Sequence, residues 1–210
     1  MLISVYSSKG SAGKTQISAN IVFDKDFCVG TNEAFHIYDN LIGDNKILSI
    51  EMEQSFPKEL KDEDIDMVFD LAGSISKSSH SITSAIKLSD VVLVPVYNEY
   101  KSLVGAVNTI NQIHNLNNNI IVVATKLQKQ KCDMFKLDWT ESEDFKNIKK
   151  VIESKTNVTE ILPLKFSKVF DNIFEEKKSI KQIMDSNALA KYSYKDVAEQ
   201  FERIYKSINI

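Results

Sequence analysis

Several residue types that build special frameworks are scarce in this sequence. There are two cysteines, Cys28 and Cys132, in 210 residues. Two distant thiols form neither a disulfide framework nor a paired-cysteine metal pattern, so both read as reduced, with Cys28 in a strand. The three histidines, His36, His80 and His114, are scattered without ligand spacing and read as surface or half-buried residues. With only three prolines and no low-complexity tract, nothing resembles a linker, so residues 1–210 read as one domain. No apolar run approaches the roughly 20 residues that span a bilayer. The longest, "VVLVPV" and "IIVVA", have the length of strands. No cationic start precedes an apolar segment, which argues against a secretory signal and for a cytoplasmic protein. Arginine is almost missing: Arg203 stands alone beside twenty-five lysines.

Glycine is also sparse, yet two of the six fall within four residues, in "SSKGSAGKTQ" (7–16). The preceding "LISVY" is β-branched and aromatic, as in a buried strand. The following "QISANIVF" is helix-like. Gly10 and Gly13 allow a tight turn and a close ligand approach. Lys14 and Thr15 open a helix whose first amides have no partner within it. Strand, small-residue loop and helix N-terminus together form an anion site. The closing "GKT" fits a P-loop: Ser11, Ala12, Gly13 and their neighbours cradle phosphates, Lys14 reaches the β- and γ-phosphates, and Thr15 holds Mg²⁺.

A second motif is "DMVFDLAG" (66–73). Apolar residues run into Asp70, as in a Walker B strand whose carboxylate holds the Mg²⁺ shell through water. Gly73 would bring the next loop, "SISKSS", against the γ-phosphate as a nucleotide-dependent switch.

Along the chain, strands alternate with helices. Strands are expected at 2–6, 26–33, 46–53, 66–73, 90–99, 119–126 and 159–167. Helices are expected at 14–23, 79–89, 102–116, 143–155, 171–184 and 194–208. Residues 34–65 are less regular, with "KELKDEDID" an exposed acidic turn. Leu103, Val107, Ile110 and Ile113 form the helical stripe of the 102–116 segment. This order implies an α/β fold, a mostly parallel central sheet with helices on both faces. Ligands then bind at the carboxyl ends of the strands.

The net charge of −3 is unevenly spread. Residues 1–125 carry nine lysines against fifteen acids, net −6; residues 126–210 carry sixteen lysines, Arg203 and fourteen acids, net +3. A basic half suits contact with nucleic acid; a solvated lysine-rich surface explains the same numbers.

The loop "KGSAGKT" resembles the deviant Walker A motif of the ParA/MinD family of P-loop ATPases, with Ser8 in place of the usual opening glycine and Ser11 in place of another. The resemblance implies ATP and Mg²⁺ as ligands, a homodimer sandwiching ATP, and Lys9 as the signature lysine acting on the partner's nucleotide. It also implies nucleotide contacts from Lys9 through Gln16. "NIIVVATK" resembles the strand whose end touches the base, which assigns Thr125 and Lys126. The family's catalytic carboxylate follows the second strand in a D-x-D pattern. Here "VGTNEAF" places Thr31 and Glu33 at those positions, and Glu33 is the assigned group, with Glu51 and Glu53 of "SIEMEQ" as alternatives. "ILPLKFSKVFDNIFEEKKSI" resembles the family's late segment, where Lys165 replaces a DNA-contacting arginine and Lys168 lies nearby.

The small size resembles ParA partition proteins. That implies a slow, partner-stimulated ATPase with a ParB-like partner, non-specific DNA binding in the ATP state and nucleoid association. A MinD-like membrane-bound protein is the main alternative. For it, Val197, Phe201, Ile204, Tyr205 and Ile208 would form a lipid-facing stripe, but the opposite face mixes acids with bases and the stripe reads as core. A nucleotide-binding adaptor with little turnover is a third reading.

Overall fold

The computed structural model describes residues 1–73 and 80–210. Seven strands form one all-parallel sheet: β1 (Leu2–Val5), β2 (Cys28–Thr31), β3 (Ile47–Ser49), β4 (Met67–Asp70), β5 (Val91–Val96), β6 (Ile120–Leu127) and β7 (Ile161–Lys165). Their spatial order is β3-β2-β4-β1-β5-β6-β7. The chain leaves β1 toward one edge and, after β4, crosses to the other. The carboxyl end of β1 therefore lies at the point where the winding reverses, the ligand-binding place of such sheets.

Alternation along each strand divides the core in two. Leu2, Met67, Phe69, Val92, Val94 and Val122 face one layer, built by α2 (His80–Leu88), α3 (Tyr100–Ile113) and α4 (Glu143–Lys155). Ile3, Val5, Val68, Leu93, Ile121 and Val123 face the other. That layer contains α1 (Lys14–Lys25), α5 (Val169–Glu176), α6 (Ile180–Ser186) and α7 (Ala188–Ile208). Burial on both faces explains why the central strands read as continuous apolar runs. Pro95 sits in β5 beyond the last β1–β5 pair, Val5 with Leu93, so its missing N–H interrupts no bond to β1.

Some boundaries differ from the sequence expectation. β2 is four residues long, which leaves Glu33 two residues beyond its end. α1 extends to Lys25 and stops where Asp26 turns left-handed, at φ 60°. In α3 the buried stripe is Leu103, Ala106, Ile110 and Ile113, with Val107 only half-buried. The C-terminal region holds three helices rather than two. Lys177 ends α5 in a left-handed conformation, and Ser179 with Gln182 forms a capping box that starts α6. Asn187 then caps α7 by accepting from the Leu189 and Ala190 amides. Val197, Phe201, Ile204, Tyr205 and Ile208 are all buried in the sheet-facing core. Among the described residues, no helix is long and apolar enough to cross a membrane.

Candidate nucleotide site

The loop from Tyr6 to Gly13 joins β1 to α1 at the carboxyl edge of the sheet. Gly13 is the residue before the helix and takes φ 101°, a left-handed conformation that favours glycine. A Cβ on Gly13 would also sit 3.6 Å from the Thr125 methyl. The second left-handed position is Ser11, at φ 61°, and not Gly10. A Cβ on Gly10 would meet no protein atom within 4 Å, so the turn itself does not need this glycine. The first turn of α1 has no side-chain cap and no acidic residue, which leaves its amides open to an anion.

Neighbouring elements hold the loop. Thr125, expected to meet the base, is buried, and its hydroxyl donates to the Ala12 carbonyl at 2.8 Å. It is a clamp between β6 and the loop. On the other side, the Ser8 amide donates to the Thr109 hydroxyl at 3.1 Å, and the two hydroxyls lie 2.8 Å apart. Gly105 packs against the same turn: its carbonyl accepts from the Ser8 hydroxyl at 3.2 Å, and a Cβ there would lie at ordinary contact distance, 3.4 Å, from the Lys9 Cβ. Sequence reading missed Gly105 and Thr109. Their signal was a glycine inside an otherwise good helix, which often marks a close approach.

Lys14 is buried beneath the loop and makes no ion pair among the described residues. Asp70 ends β4 nearby and is 2% exposed. Burial pushes its carboxyl up to about 6, against the pull of Tyr38, Thr15 and Lys14, and the charge of Glu33 adds to the rise. Oδ2 accepts a hydrogen bond from the Tyr38 hydroxyl at 2.8 Å. Oδ1 is buried without a hydrogen-bond partner among the described residues. A buried carboxylate oxygen left bare beside Lys14 and Thr15 fits a hydrated divalent cation, the group expected for Thr15 and Asp70. Tyr38 was not foreseen. It lies in the irregular connection after β2, where periodicity carries no signal. Burial and the Asp70 charge hold its hydroxyl proton well beyond the ordinary tyrosine range.

Gly73 follows at close quarters. A Cβ there would stand 3.3 Å from the Ser7 carbonyl and 3.5 Å from the Lys14 ammonium. The expected switch loop, 74–79, lies outside the described residues. Its flanks are tied to β2 by Asn32, another residue that sequence reading passed over. Asn32 accepts from the Ala72 amide at 2.8 Å and donates to the Ser81 hydroxyl at 2.9 Å.

The three carboxylate candidates share one open groove. Glu33, Glu51 and Glu53 line a cavity of about 980 Å³ together with Asn32 and Ala72. Glu33 alone of the three bears electrostatically on Asp70 and Tyr38. Beside Gly13 and Gln16, a smaller cavity of about 90 Å³ is lined by Thr125, Lys126, Phe166, Phe170 and Asp171. Its aromatic and acidic walls suit a base. Lys126 is left-handed at φ 55° and stacks its ammonium 4.6 Å from the Tyr97 ring centre. Lys9 is half-buried, with its amide donating to the Ser7 hydroxyl.

The two lysines expected at DNA lie elsewhere and differ. Lys168 is exposed at the start of α5. Lys165 is committed: its ammonium pairs with Asp196 at 3.2 Å and lies over the Trp139 ring. Trp139 donates to the same carboxylate.

No protein-family model matches this sequence, and no curated protein matches it in sequence. Solved structures do match it in shape. A variant of Cyanothece McdA in complex with ATP aligns over 100% of this chain and 96% of its own, with TM-score 0.64 at 13% identity. MinD cell division protein from Aquifex aeolicus aligns over 96% of each chain, with TM-score 0.60 at 17% identity. A plasmid partition protein from Borrelia burgdorferi covers 83% of this chain and 96% of its own, with TM-score 0.52 at 14% identity. With its parallel sheet, its P-loop after the central strand and its aspartate at the end of the adjacent strand, the chain has the ParA/MinD-type P-loop ATPase fold.

Proposed function

We propose that this chain is an ATP-dependent dimeric switch of the ParA kind, acting in plasmid or chromosome partition. One observation carries the reading: the uncapped helix start, the unpaired Lys14 and the half-bare Asp70 converge at the carboxyl end of β1. This set matches a nucleotide phosphate chain, with Lys14 and the α1 amides neutralising its charge. Thr15 and Asp70 would hold Mg²⁺, which when bound offsets charge on the β- and γ-phosphates. Gln16, Lys126, Phe166 and Phe170 would enclose the base. Glu33, in the open groove toward Asp70, orients the attacking water. Lys9 reaches the nucleotide of a partner copy across the sandwich.

In this reading the ATP-bound dimer binds DNA without sequence preference and associates with the nucleoid. A ParB-like partner stimulates its slow hydrolysis. The alternative of a lipid-binding helix loses its support here, since the apolar stripe of α7 is spent on the core. The test uses two variants. Lys14→Ala should abolish ATP binding in calorimetry. Glu33→Gln should keep ATP affinity and lose phosphate release, because its role belongs to turnover. Normal ATP affinity in Lys14→Ala would sink the P-loop assignment. Undiminished turnover in Glu33→Gln would pass the catalytic role to Glu51 or Glu53. No turnover in the unaltered protein, even with DNA and a partner, would favour the adaptor reading.

A further inference from the structure

Asp70 needs two things that conflict. Its carboxylate must stay oriented, and it must keep a full negative charge for a cation. A lysine or arginine partner would orient it while cancelling that charge. The structure uses a neutral donor: the Tyr38 hydroxyl donates to Asp70 Oδ2 at 2.8 Å, in a place where Tyr38 is 1% exposed. The other oxygen, Oδ1, is buried and has no hydrogen-bond partner among the described residues. The carboxylate is therefore pinned on one side by Tyr38, and its other oxygen stands near Thr15 and Lys14 without a hydrogen bond among the described residues.

We propose that Tyr38 is a positioning residue of the nucleotide site, which fixes Asp70 by one oxygen so that the other is presented to the hydrated divalent cation. The inference rests on the nucleotide-site reading. It also gives a role to the connection after β2. Tyr38 stands five residues beyond Glu33, in the short 3-10 turn Tyr38–Asn40. The same connection thus carries the group assigned to the water and the group that sets the metal-side carboxylate. Partners that orient a metal-site ligand from outside typically contribute ten- to hundredfold in metal affinity or activity.

The test is a Mg²⁺ titration of ATP binding by the full chain, alongside ATP binding in EDTA. In Tyr38→Phe, ATP affinity in EDTA should stay within about twofold, while the Mg²⁺ concentration for half-saturation rises roughly tenfold. On an Asp70→Ala background, which leaves Tyr38 nothing to orient, the same change should have no further effect on the Mg²⁺ response, because the coupling runs through that carboxylate. A structural role alone would lower the melting temperature of Tyr38→Phe and leave the Mg²⁺ half-saturation where it was, and that result would overturn the proposal. An equal Mg²⁺ shift with and without the Asp70 carboxylate would overturn it too. Failure of the unaltered protein to bind ATP under either condition would overturn the nucleotide site itself, and Tyr38's role with it.

Discussion

Ser11 shows how a single backbone angle can be misread from sequence. Two glycines in the loop suggested that both supply conformational freedom, but the left-handed angles belong to Ser11 and Gly13. A non-glycine residue there costs roughly 1–2 kcal/mol, and a glycine costs about 0.5–1 kcal/mol more in chain entropy than alanine. The first term is the larger, so Ser11→Gly should raise stability by about 0.5–1 kcal/mol, read as a higher melting temperature. A lower one would mean that the serine side chain itself supports the loop. Asp70 is a second residue that works against the fold. Its carboxyl is raised to about 6, above an ordinary value of 3.8. The folded state therefore holds this proton to higher pH than the unfolded state. Stability from this group is present below about pH 4 and lost as pH rises through 6, by at most about 3 kcal/mol. Asp70→Asn keeps an oxygen for Tyr38 and removes the buried charge. The nucleotide-free variant should be more stable than the unaltered protein in urea at pH 7, with the gain shrinking toward pH 4. Equal stability at pH 7 would mean that the charge is better compensated than its burial implies.

Elements were legible where their pattern was strong. The loop, α1 and the apolar strands β4, β5 and β6 follow from runs and glycines that admit few alternatives. Lys14, Thr15 and Asp70 are placed by these elements, and they converge as their motifs imply. Tyr38 and Asn32 were hidden because they act through long-range hydrogen bonds from irregular chain. The break between α5 and α6 was written in the sequence as Ser179-x-x-Gln182, a capping box set within a longer helical pattern. The β6–α4 connection has a similar local organiser. Asp133 accepts from the Gln130 and Glu143 amides and from Lys136 at 2.6 Å. The Lys136 hydrogen bond holds its carboxyl down to about 2. In β2, Gly30 is required by packing. A Cβ there would lie 2.5 Å from Phe69 Cδ1 and 3.1 Å from Phe56, rings that already pack at 4.7 Å. Gly30→Ala should therefore lower stability by about 1–3 kcal/mol. Denaturant unfolding measures it, and an unchanged midpoint would show that the ring pair can move aside. Because β2 leads directly to Asn32 and Glu33, the variant should also weaken turnover more than ATP binding.

At the scale of the whole molecule, charge is better hidden than its sum suggests. Eight of the seventeen basic residues in 126–210 pair with carboxylates: Lys136, Lys146, Lys149, Lys165, Lys178, Lys181, Lys195 and Arg203. Apart from Lys136, whose partner Asp133 is buried, these solvent-facing pairs contribute little to stability, about 0–1 kcal/mol each, but they reduce the local potential offered to a phosphate. One protomer with net charge −3 should then bind DNA poorly. In the proposed dimer, two protomers joined over ATP would place two sets of the remaining lysines on one particle, and their contacts would act together. The proposed DNA binding should thus appear only with ATP and fall steeply with salt, log affinity dropping by roughly 0.9 per neutralised phosphate for each tenfold rise in salt. Two variants separate the steps in an anisotropy assay on unrelated DNA sequences. Lys9→Ala should bind ATP but lose both the ATP-dependent dimer in light scattering and the DNA affinity. Lys168→Glu should keep the dimer and lose DNA affinity with a shallower salt slope. Lys165→Glu is the contrasting case, since it breaks the contact with Asp196 and Trp139 and should show mainly as lost stability. If ATP confers no DNA affinity at low salt while anionic vesicles pull the protein down, partition gives way to a membrane role, and a surface other than the α7 stripe must carry it.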